Sequence, residues 1–274
     1  VTTATAPAPG PAVVGDSSWK HLREVIEHTI LTDPRTLQVA LGPSEIGTAC
    51  DRCLVHLLAG HKATEYVAPW LPTIGHAVHA WLDKAMRLHA LASDDGDRWH
   101  VESRVTVGQI GGVDIKGNAD LFDEVTGTVT DWKISGKPKI DSVRRHGASL
   151  TYQRQAQLYG KGYEDAGHTV RAVQVIFLPR NAVSLQGGIC WSAPYDRQVA
   201  QHALDRANAL HAGITSLGAE AVLAMSPPHT GQEFDCDRWP GEATPSTDRQ
   251  LDGLIPQTPG ATATGSTAPT TAHQ

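Results

Sequence analysis

VDIKGNADLFDEVTGTVTDWKI, residues 113–134, reads as two strands joined by a turn. A strand from about Val113 to Phe122 meets a turn at Val125 to Gly127, and a second strand follows from Thr128 to Ile134. With the turn centred near Val125 and Thr126, antiparallel pairing sets Asp120 opposite Asp131, and a two-residue shift sets it opposite Lys133. The period of two puts Asp131 and Lys133 on one side of their strand and Trp132 on the other. Facing carboxylates repel by about 0.2–1 kcal/mol even when solvated. A divalent cation reverses that cost, because Mg²⁺ takes oxygen ligands and commonly uses one or two carboxylates with waters and a phosphate. Taken alone, an Asp-x-Lys pair is also what an exposed ion pair of little energetic consequence looks like.

Working outward, Trp99, Val101, Ser103, Val105 and Val107 alternate as an earlier strand, so three strands form a meander. Helices precede it: Ser18 to about Ile30, a second from Ser44 through Cys50, Arg52 and Cys53 to Gly60, and a third from Ile74 to Leu91 carrying His79. After the meander come a basic connecting segment, a helix from Ser149 to Ala166, an apolar strand from Val170 to Leu178, another near Ser184 to Trp191, and a helix after Pro194. The expected fold class is α/β, an α+β mixed sheet with the order α-β-β-β-α-β behind N-terminal helices. Residues 1–16 and 240–274, rich in Ala, Thr, Pro and Gly, are expected to be disordered tails around one domain over 17–239.

A formal net charge of -6 argues against a protein that coats nucleic acid by bulk electrostatics, so nucleic-acid contact must be local. The segment from Lys133 to Arg145 holds five basic residues against one acid, and Arg154 follows on the next helix. Lys137, Lys139, Arg144, Arg145 and Arg154 are therefore candidates for neutralising a phosphate backbone. No base-reading helix or finger is recognisable, so contact without sequence specificity is expected. Neither a membrane span nor a secretory signal pattern is present, and the cytoplasm (the host's, for a phage-encoded protein) is the expected location. Nothing in the residues bears on protein partners or homo-oligomers.

Four motifs in order resemble the PD-(D/E)XK nuclease superfamily, of restriction-endonuclease-like core, and in particular its RecB-like exonuclease branch with CRISPR-associated and phage members. They are GHAVH from Gly75 to His79, GNAD from Gly117 to Asp120, DWK from Asp131 to Lys133, and QAQLY from Gln155 to Tyr159. The opening PSEIGTACDR is similar to the family's entry helix. The resemblance implies a Mg²⁺- or Mn²⁺-dependent DNA nuclease, of the exonuclease kind, serving recombination, repair or replication. It implies His79, Asp120, Asp131 and the backbone carbonyl of Trp132 as metal ligands, Lys133 as the catalytic lysine, and Gln155 and Tyr159 bracing the site or touching DNA. In some relatives a residue at the place of Glu102 adds an acidic ligand. The alternative is a catalytically weak DNA-binding or recombination-partner protein on the same fold.

Many members of that branch carry an iron-sulfur cluster on one early and three late cysteines. Here Cys50 and Cys53 are both early, and only Cys190 and Cys236 lie downstream. A four-thiolate cluster, a zinc site and buried unligated thiols all stay open for these four, and a cluster is not favoured.

Overall fold

The computed structural model describes residues 17–32, 41–61, 70–93, 97–229, 236 and 239. Both expected tails, residues 1–16 and 240–274, lie outside the described residues. Among the described residues, eight helices accompany one five-stranded mixed sheet of order β1-β2-β3-β4-β5. The strands are β1 (Trp99–Ile110), β2 (Val113–Asp123), β3 (Thr128–Ser135), β4 (Ala172–Pro179) and β5 (Ile189–Pro194). Neighbours are antiparallel except β3 and β4, which run parallel. A parallel pair needs a crossover, and α5 (Lys137–His146) with α6 (Leu150–Asp165) supplies it. None of the described helices is long and apolar enough to cross a membrane.

The meander and the order of strands and helices are as the periodicities imply, and three details differ. The last strand, expected near Ser184 to Trp191, runs Ile189–Pro194 after a short helical turn at Leu185–Gly187. The basic segment after β3 is helical rather than a connecting loop. Proline is tolerated in a first helical turn, where Pro138 stands, and Arg144, Arg145 and His146 suit the negative end of the helix dipole. The second expected helix is two: α2 (Pro43–Gly47) and α3 (Asp51–Leu58), with Cys50 capping the latter. Its start is capped by Gly42, not Ser44, and the Glu45 carboxylate accepts from the Gly42 amide at 3.0 Å. The chain breaks after Gly47 because α2 lies hard against α6, where a β-carbon on Gly47 would come within 2.8 Å of the Thr151 carbonyl. Thr48, whose carbonyl leaves the helix, is caught by Arg154 at 3.2 Å and Arg206 at 2.8 Å.

The remaining helices are α1 (Ser17–Thr32), α4 (Trp70–Ala92), α7 (Arg197–Leu217) and α8 (Ala219–Met225). The core lies between the sheet and the helices α6 and α7, filled by Val105, Phe122, Val129, Leu158, Tyr163, Val173 and Leu204 among others. The buried stretch from Gln155 to Tyr163 makes α6 the central helix. Its polar members Gln155 and Gln157 thus need partners inside the protein, and one of them finds its partner in the site.

Candidate active site

Three backbone pairs join β2 to β3, the last being Leu121 with Thr130. Continuing that register would put Asp120 against Asp131, as the hairpin geometry predicts, but the ladder stops one residue short. There the Asp120 carboxylate replaces the next backbone acceptor, taking the Trp132 amide on Oδ2 at 2.7 Å. Its other oxygen lies 3.2 Å from His79 Nδ1, contributed by α4. The side chain of Asp120 therefore spans the gap where two strands part, which fixes both of its oxygens.

Asp131 is 3% exposed and turned to other partners. Lys133 Nζ donates to its Oδ1 at 3.1 Å and lies 2.8 Å from Oδ2, and Gln155 Nε2 also donates to Oδ1 at 3.1 Å. Burial pushes the Asp131 carboxyl up to about 6, with the charge of Asp120 adding to burial and Lys133 opposing it. For His79, burial works against the charged form, yet the hydrogen bond and charge of Asp120 outweigh it and raise its pKa. Lys133 follows the same balance, with burial opposed and exceeded by Asp131. These carboxylates are thus held close together at an electrostatic cost that a divalent cation would relieve.

Glu102 on β1 joins them. One oxygen of Glu102, one of Asp120 and one nitrogen of His79 lie within 4.8 Å of one another, close enough to share an ion. Glu102 sits between the pairs Val101 with Leu121 and Ser103 with Ala119, at the level of Asp120, and its φ of 50° is left-handed. A glutamate held there stores local strain, a feature concentrated at functional sites. Gly117, three residues before Asp120, is required by close approach, since a β-carbon would come within 2.6 Å of Pro43 and 3.0 Å of Tyr159. Gly75 meets no such limit. Tyr159 is buried behind Gly117, and burial with the nearby Asp131 and Asp120 charges keeps its phenol protonated.

These residues line an open cleft of about 690 Å³. The structure brings His79, Asp120, Asp131, Trp132, Lys133, Gln155 and Tyr159 together there, along with Lys139. It does not bring the other basic candidates to that cleft. Lys137 and Arg144 are paired with Asp141 at 2.6 and 2.9 Å, Arg145 bonds the Asp141 carbonyl, and Arg154 braces Thr48. Among the cleft residues that the sequence reading does not name as site residues are Glu45, Tyr152 and Arg180. Tyr152 lies three residues before Gln155 on one helix face, a spacing that could have exposed it. Its ring is 5.4 Å from Lys133 Nζ and 5.1 Å from Lys139 Nζ. Arg180 follows the strand parallel to β3, at the carboxyl end where open α/β sheets place ligands.

The four cysteines do not assemble as a set. Cys190 is exposed on β5 and donates to Gln174 Oε1 at 3.5 Å. Cys50, Cys53 and Cys236 are buried together, and the fourth member is His229, which the spacing of cysteines could not reveal.

No protein-family model matches the chain, and no curated protein does. Among solved structures, the crystal structure of SSO0001 is similar at 14% identity and a TM-score of 0.43, over 69% of this chain and 86% of that one. An alkaline exonuclease from Laribacter hongkongensis is similar at 11% identity and a TM-score of 0.37, over 68% of this chain and 91% of that one. Its complex with dAMP gives 11% and 0.35, over 67% and 93%.

Proposed function

We propose that this chain is a divalent-metal-dependent DNA nuclease of the PD-(D/E)XK type, of the RecB-like branch, acting as an exonuclease. One observation carries this reading: His79, Glu102, Asp120, Asp131 and Lys133, from α4 and three strands, converge on one side of an open cleft. Lys133 is paired with Asp131 alone, so three carboxylates gathered there carry more charge than that one lysine offsets, and the excess costs stability unless a further cation is bound. The donor set of carboxylate oxygens and one imidazole suits Mg²⁺ or Mn²⁺. A divalent ion held by His79, Glu102, Asp120 and Asp131, with the Trp132 carbonyl as a further donor, would supply Lewis-acid polarisation of a phosphate and activation of water.

The chain's own groups complete the chemistry. Lys133, fixed by Asp131 and facing the Tyr152 ring, is placed to neutralise charge developing on the phosphate oxygens as water oxygen bonds to phosphorus and the ester oxygen departs. Gln155 orients Asp131 from behind, and Asp120 sets the His79 ring. Lys139 and Arg180 are the basic groups at the cleft that can meet the flanking backbone phosphates. A preference for ends, and a role in recombination, repair or replication, follow from the motif resemblance alone.

The test is hydrolysis of linear and closed-circular DNA with Mg²⁺, Mn²⁺ or chelator, comparing wild type with Asp120→Asn and Lys133→Ala. Each substitution is expected to lower kcat at least about a hundredfold with DNA binding kept. Cleavage unaffected by both would refute the site, rapid cutting of closed circles would refute the exonuclease form, and binding without cleavage would favour the DNA-binding alternative.

A further inference from the structure

We propose that Cys50, Cys53, His229 and Cys236 form a closed, mononuclear zinc site that fastens the α2–α3 corner to the chain beyond α8. Cys50 Sγ and Cys53 Sγ each lie 3.4 Å from His229 Nδ1, and Cys53 Sγ lies 3.6 Å from Cys236 Sγ. With Zn–S near about 2.3 Å and Zn–N near about 2.0–2.1 Å, the edges of a tetrahedral site come to about 3.6 Å. The ligand atoms, all within 4.8 Å of one another, are spaced for one ion at their centre. A disulfide needs sulfurs at about 2.05 Å, well inside the observed separation. An iron-sulfur cluster holds its thiolates apart around an inorganic core, and the fourth thiolate it would use, Cys190, is elsewhere.

The surroundings hold the ligands in place. Cys50 stands at the N-cap position of α3 and Cys53 lies in its first turn, so one short helix fixes the separation of both sulfurs. Between them, Arg52 reaches the other way to the Leu223 and Ser226 carbonyls at 2.7 and 3.4 Å, pinning the end of α8 three residues before His229. Trp239, three residues after Cys236, stacks on His56 of α3 at 4.6 Å and 11°. All four ligand residues are at most 4% exposed, packed with Leu57 and Trp239. Four protein donors with no open position make a structural site rather than a catalytic one. Since α2 presents Glu45 to the cleft, this ion would steady one wall of the active site from behind. It does not depend on the nuclease reading.

The experiment is metal analysis of the full chain, purified in reductant without chelator, by plasma mass spectrometry and after Co²⁺ exchange. Expected are about one zinc per chain, visible absorption of tetrahedral thiolate-ligated Co²⁺, retention of zinc in His229→Cys, its loss in His229→Ala, and no change in Cys190→Ser. Zinc well below one per chain with four titratable thiols, a brown iron chromophore, a Cys53–Cys236 disulfide by mass, or loss of zinc in Cys190→Ser would each overturn it. Should His229→Ala fail to fold, the wild-type content and the Cys variants still decide.

Discussion

The cleft and the thiol cluster are both groups of metal-binding residue types, and they differ in donor and in access. His79, Glu102 and Asp120 offer oxygens and one imidazole beside an open cleft. Cys50, Cys53, His229 and Cys236 are soft donors shut inside a small apolar cluster. Hard donors with room left for water and phosphate suit an exchangeable ion that does chemistry, whereas soft donors without room suit a retained ion that holds structure. On the two proposals, separate regions within one fold would divide the work of metals between reaction and stability.

The largest effect expected from that contrast is separation by a simple wash. Desalting without chelator should abolish DNA hydrolysis until Mg²⁺ or Mn²⁺ is returned, while zinc stays near one per chain and the thermal midpoint is unchanged. Metal analysis, activity and calorimetry on the same sample check it. Release of zinc by the same wash, or activity surviving it, would break the division.

Next in size is the buried brace. Gln155→Ala removes the donor to Asp131 Oδ1 and should lower activity about ten- to a hundredfold and raise the Mg²⁺ concentration needed, as loss of a hydrogen bond behind a ligand does. Zinc content should not change. A drop in stability with no shift in the Mg²⁺ requirement would reduce Gln155 to a packing residue.

The same contrast explains what was legible in the sequence. The cleft residues sit on regular elements, so a period of two and a turn at Val125 to Gly127 place Asp120 near Asp131, and one helix face carries Gln155 and Tyr159. What periodicity cannot show is the point where pairing ends. The splay beyond the Leu121–Thr130 pair, which frees Asp120 to bond the Trp132 amide, is written in neither strand's alternation. Glu102 depends on a positive φ that no residue type announces. The thiol cluster was half legible, because Cys-x-x-Cys is local, whereas His229 arrives by way of the Arg52 contacts, over 170 residues away in sequence. The α5 helix buries only Ile140 and Val143 in a mostly basic run, too little apolar pattern to announce a helix.

A second acidic position tests whether burial of a carboxylate is enough to make a ligand. Asp123 is 7% exposed, but Arg98 holds it through two hydrogen bonds at 2.8 and 2.9 Å, and Thr126 and the Val125 amide fill the rest. The Arg98 hydrogen bonds bring its carboxyl down to about 2. A depressed folded value stabilises the fold above the ordinary value of 3.8, and the contribution is lost as pH falls toward about 2. At roughly 1.4 kcal/mol per unit, that is worth about 2 kcal/mol at neutral pH. Urea unfolding of Asp123→Asn should show that loss at pH 7 and little difference from wild type near pH 2, with Mg²⁺ dependence intact. An altered Mg²⁺ requirement would mean that the cleft extends further than drawn.

The smallest effect is expected where composition alone looks most like a ligand set. Glu124 lies 3.1 Å from His100 and 2.8 Å from His168, and the three could share an ion by distance. Its side chain is 41% exposed, however, and solvent screens these pairs, so each is worth at most about 1 kcal/mol. No strained backbone or buried brace forces the three groups together, which is what distinguishes both the cleft and the thiol cluster. Glu124→Gln should therefore move the unfolding midpoint little and leave both activity and zinc content as in wild type. Calorimetry with metal analysis measures both, and a loss of either metal function in that variant would show that proximity of residue types outweighs enforced geometry here.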